Sequence, residues 1–164
     1  MYQKDAFLRD LEAEGTKTRK MLERVPVEHW TWKPHEKSQA LGALASHIAN
    51  LPIWTTYTLL QDELDFAKPM NRPEPITTLE GLLARCDERL ADAKRIISET
   101  TDEVLDSDWT MRTGDQIFFT RPKKEILREF VLSHIIHHRA QLSVYLRLLN
   151  IPVPGVYGPS ADEN

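Results

Sequence analysis

At 164 residues the chain can bury a core without disulfides or other staples, and one domain spanning residues 1–164 is expected. Charged residues make up 28%, the two signs are mixed along the chain and the formal net charge is -4, so no basic stripe advertises nucleic acid. The lone cysteine, Cys86, excludes an intramolecular disulfide, and no apolar window approaches a membrane span; a cytoplasmic protein with no membrane or nucleic-acid partner is expected.

The N-terminal Met1-Tyr-Gln-Lys-Asp-Ala segment carries charges where a signal peptide needs an apolar run. Helical periodicity then runs from Lys4 to Arg24, with Phe7, Leu8, Leu11, Met21 and Leu22 on one side, and Pro26 closes it. Prolines and aromatics in Trp30-Thr-Trp32-Lys-Pro34-His35 predict an ordered, extended connection against the end of a bundle. A second helix is expected from Ser38, as its cap, through Leu41, Leu44, His47, Ile48, Leu51 and Trp54 to Leu59. Pro52 removes a backbone hydrogen bond there, which predicts a kink or irregular turn near residues 48 to 52.

Lys68 to Pro75 reads as a proline-punctuated loop, and Thr77 or Thr78 with Glu80 opens a third helix that reaches Glu99. Cys86 falls inside that helix as an ordinary helical residue. Gly114-Asp115 sits between two short runs of aromatic, β-branched and apolar residues, the pattern of a small hairpin or irregular loop. Pro122 suits a first helical turn, and Ile126, Leu127, Phe130, Val131, Leu142, Tyr145 and Leu149 mark a long fourth helix ending near Asn150. The fold class expected from these elements is an all-α four-helix bundle with a short hairpin or irregular loop before the last helix.

His134-Ile-Ile-His137-His138 places three imidazoles within two helical turns of an apolar stretch. On a wheel of 100° per residue with Ile126 at zero, the apolar stripe centres at roughly 90°, His134 at about 80°, His138 at about 120° and His137 at about 20°. The i,i+4 pair therefore faces the core and His137 the edge. Two buried imidazoles need partners, since each unsatisfied one costs roughly 1–3 kcal/mol. Hydrogen bonds to carbonyls or carboxylates would satisfy them singly; a shared metal ion satisfies both at once. His47 shares a face with Leu44, Leu51 and Trp54 on the second helix and completes the candidate set of His47, His134 and His138. Three protein ligands with a fourth position open is the arrangement of catalytic rather than structural zinc. Gln141 and Tyr145 fall on the same inward face as candidates for bounding a pocket or orienting a water, whereas His29 and His35 belong to a solvent-facing loop.

Several blocks together resemble the DinB/YfiT-like superfamily, which includes the bacterial damage-inducible DinB proteins, over nearly the whole chain: Leu44-Ala-Ser-His47-Ile, His134-Ile-Ile-His137-His138-Arg-Ala-Gln-Leu142 followed by Tyr145-Leu-Arg, and the closing Pro154-Gly-Val-Tyr-Gly-Pro159-Ser-Ala-Asp-Glu163. That resemblance implies a four-helix bundle whose three histidines, here His47, His134 and His138, hold a divalent metal, zinc or nickel. It also implies a homodimer, with exposed apolar residues of the first and third helices as the expected two-fold surface. The superfamily includes thiol-dependent S-transferases, so a low-molecular-weight thiol and a small electrophile are the expected partners. A metal-dependent hydrolase and a non-enzymatic, metal-stabilised bundle stand as the alternatives.

Overall fold

In the computed structural model, residues 3–70 and 73–163 are described; the start of the expected N-terminal segment, residues 71 and 72 of the proline loop and residue 164 lie outside them. The first apolar stripe becomes helix α1, Gln3–Leu22, which buries Phe7, Leu11, Met21 and Leu22. Trp30 and Trp32, from the ordered loop that follows, pack against the core formed by Leu22, Leu41, Leu44, Ile48 and Leu142. Close approach of the Trp30 ring to the backbone of Gly42 requires glycine there, because a Cβ would overlap the indole.

Helix α2 runs Leu41–Asn50 with Ala40 as its cap residue and no side-chain capping bond, so Ser38 is not the cap. Instead Leu41 and Gly42 donate their amides to the carbonyls of Trp32 and Trp30, both at 2.9 Å, and the tryptophan loop takes over the capping role. The irregularity expected at Pro52 is a 3-10 turn, Leu51–Ile53, after which the chain resumes as α3, Trp54–Leu59. Helix α4, Leu79–Glu99, starts at Thr78, whose hydroxyl accepts from the Gly81 amide at 3.0 Å. Cys86 is buried on it, and burial pushes its thiol up to about 12.

The expectation of an all-α protein is corrected by a three-stranded sheet ordered β1-β2-β3: β1 (Glu63–Asp65), β2 (Asp108–Thr113) and β3 (Gln116–Pro122). The hairpin β2–β3 turns at Gly114, whose φ of 54° is a glycine conformation, and a bulge falls between Met111 and Arg112. Strand β1 pairs parallel to β2 with Leu64 opposite Met111. A short helix α5, Asp102–Asp106, leads into the hairpin. The sheet buries Trp109 completely, and its indole donates to the Tyr57 carbonyl at 2.9 Å, locking the sheet onto α3.

The last helical stretch runs from α6, Lys123–Ile126, through a π-helical segment, Leu127–Ser133, into α7, His134–Leu148. It ends in a Schellman arrangement, with Asn150 at φ 58°, its amide on Arg147 and that of Ile151 on Leu146, both at 3.0 Å. Helices α1 and α2 each pack against both α4 and α7. Among the described residues, the large apolar side chains left exposed, such as Leu60, Phe66, Phe118, Val144 and Leu148, lie on neither α1 nor α4, the helices expected to carry a two-fold surface.

Candidate metal centre

Helix α2 carries His47 toward α7, where His134 and His138 sit one turn apart, and the three rings close on one another with centroid separations of 5.2, 4.6 and 4.7 Å. One nitrogen from each lies within 4.8 Å of the others. Nε2 of His47 and Nε2 of His134 are 3.4 Å apart, which matches the roughly 3.4 Å expected between two nitrogens bound tetrahedrally at about 2.1 Å from one zinc ion. The donor set, the converging nitrogens and this spacing fit a divalent cation that takes nitrogen ligands.

Burial, followed by the proximity of His138 and His134, pushes His47 down to about 4. His134 and His138 are also lowered, in each case chiefly by burial. Neutral imidazole is the form that coordinates metal, so the environment favours the binding state of all three. The Phe130 backbone opposes part of the lowering at His134. His138 places Nδ1 2.7 Å from Oε1 of Gln141, which fixes the proton on Nδ1 and leaves Nε2 free to bind.

The π-helical segment changes the backbone pairing at His134, whose amide reaches back to the Glu129 and Val131 carbonyls and not to Phe130 as an α-helix requires. The same segment corrects the wheel, which assumed α geometry throughout. The buried row of α7 is Ile135, Arg139, Leu142 and Leu146, and the two histidines stand beside it, half-buried.

His137 is exposed with its ring centroid 4.8 Å from that of His138 and is not in the converging set. Gln141, expected on the inward face, is exposed and reaches the site only through His138. Tyr145 is half-buried, packs edge-on against Trp32 and donates its hydroxyl to the Gln39 carbonyl at 3.3 Å. His29 and His35 are exposed, as expected. The contribution of Phe130 was not foreseen, because it is made by the backbone. Beyond α3, a cavity of ≈ 600 Å³ is walled by Ile53, Trp54, Tyr57, Phe66 and Lys68; none of the three histidines lines it.

The chain belongs to the DinB family, whose profile matches residues 1–164. YrdA of Bacillus subtilis (strain 168) is 29% identical over 164 residues, covering 97% of this chain and 90% of its own length. A DinB-like protein from Bacillus cereus ATCC 10987 is 26% identical with a TM-score of 0.73, over 96% of this chain and 100% of that one. The DinB-like protein YjoA of Bacillus subtilis shares the fold at 18% identity, with a TM-score of 0.71 over 92% of this chain and 96% of its own.

Proposed function

We propose that this chain binds a divalent cation, zinc or nickel, through His47, His134 and His138 and uses the centre to transfer a low-molecular-weight thiol to a small electrophile. The observation that carries this reading is the convergence of three neutral imidazoles, with no carboxylate or cysteine completing the group among the described residues. A fourth coordination position then remains for an exogenous ligand. When bound, the cation supplies Lewis acidity that favours deprotonation of a thiol held there.

The protein's own part is to hold the imidazoles neutral and bring one nitrogen of each together, half-buried. In the transfer, the thiol proton passes to solvent and sulfur forms a bond to the electrophilic carbon. The bond from that carbon to its leaving group breaks, and the leaving group departs with the electron pair. Thiol chemistry suits the site better than hydrolysis. A thiol ionises near 8.5 without a dedicated base, while activation of water profits from a positioned general base, and no carboxylate stands in the histidine group. The test is loss of free thiol when the zinc- or nickel-loaded protein is incubated with a panel of low-molecular-weight thiols and 1-chloro-2,4-dinitrobenzene. Metal-dependent consumption, abolished by a chelator, supports the reading; no consumption with any thiol favours a metal-stabilised bundle without turnover.

A further inference from the structure

Of the two α7 histidines, His138 is the one whose ring is hydrogen-bonded by a side chain outside the converging group. Metal-binding histidines are commonly backed by a carboxylate, a carbonyl or a water. At Gln141 the backing group is an amide oxygen 2.7 Å from Nδ1: it accepts the ring proton as a carboxylate would, but brings no charge. The converging group itself contains only histidines, so nothing within it offsets a divalent charge.

We infer that Gln141 is a positioning residue that holds His138 in its Nδ1–H tautomer while keeping the centre free of negative charge, so that the open position selects an anionic ligand. This inference rests on the metal reading proposed above and names the charge class of what the site takes. Gln141 is exposed and forms no part of the core, so its replacement leaves the fold intact. A carboxylate at this position would strengthen His138 as a donor and at the same time repel an anion at the open position, with effects opposite in sign. A merely structural glutamine would show neither effect.

The experiment compares wild type, Gln141→Ala and Gln141→Glu in the full chain, using cobalt(II) as the metal probe, followed by its visible absorption, and azide as the anion probe. For Gln141→Ala, cobalt affinity should fall about 10-fold, and in the metal-free protein ¹⁵N NMR should show His138 losing its preference for the Nδ1–H tautomer. For Gln141→Glu, cobalt affinity should equal or exceed that of wild type, while azide affinity of the cobalt-loaded protein should fall by roughly 5- to 10-fold. If all three proteins bind cobalt and azide alike and show the same His138 tautomer, the inference is overturned and the metal reading stands. If wild type itself takes up no cobalt, the metal reading fails first, and the NMR comparison alone decides whether Gln141 sets the tautomer.

Discussion

His138 and Arg139 are neighbours on α7, and each belongs to a polar cluster, yet the two clusters are built on opposite principles. Arg139, 2% exposed, donates to the Glu14 carbonyl at 3.1 Å, the Thr18 hydroxyl at 3.2 Å, the Glu14 carboxylate at 2.6 Å and the Tyr157 hydroxyl at 2.8 Å. Tyr157 in turn donates to Glu14 at 2.7 Å, which closes the network and straps the C-terminal tail to α1. Every member has a partner within the chain, and the Glu14 carboxylate faces the Arg139 guanidinium. The histidine cluster is left incomplete: Nδ1 of His138 is held by Gln141, Nε2 of His134 lies 3.4 Å from Nε2 of His47, and the group contains no counter-charge. A saturated buried network serves the fold; a converging, unsaturated one is built for something from outside.

That contrast breaks most visibly at Glu14. Its replacement by alanine strands a buried guanidinium and should cost about 3–5 kcal/mol in denaturant unfolding, with metal uptake per folded chain unchanged. If metal uptake falls as well, the two clusters are one unit. His134→Ala should do the reverse: metal affinity falls by more than about 100-fold, beyond the range of a supporting residue, while unfolding of the metal-free protein shifts by less than about 1 kcal/mol. Competition against a chromophoric chelator and a urea melt read the two effects separately.

Smaller effects sharpen the comparison. Tyr157→Phe removes one donor from the saturated network while Glu14 still pairs with Arg139, and should cost roughly 1–1.5 kcal/mol. On acidification, burial alone would raise the Glu14 carboxyl, but hydrogen bonds from Lys17, Tyr157 and Arg139 prevail and hold it below its ordinary value of 4.5. The folded state therefore binds this proton less readily than the unfolded chain does. The contribution to stability is present above 4.5 and is lost as the pH falls through the folded value. Stability curves of wild type and Glu14→Gln should converge below that point; parallel curves would remove Glu14 from the acid limb.

Local signals in the sequence reached the capped start of α4, the turn at Pro52, the hairpin at Gly114 and the stop after α7, because each rests on one residue's backbone chemistry. Strand β1 escaped: it is three residues long, and its parallel pairing with β2 is set by tertiary contacts. The three histidines were legible because i,i+4 spacing inside α7 does not depend on what precedes it. Their depth was not, since the π-helical segment turns α7 relative to the residues before it and carries no proline or glycine to announce it. The same blindness hid Phe130, and it placed Gln141 inward when it lies outside His138.

Metal analysis of the purified wild type beside a His134→Ala, His138→Ala double variant tests the centre most directly. The account predicts about one divalent ion per chain in the wild type and essentially none in the double variant, with both proteins folded. Equal metal content in the two would contradict it.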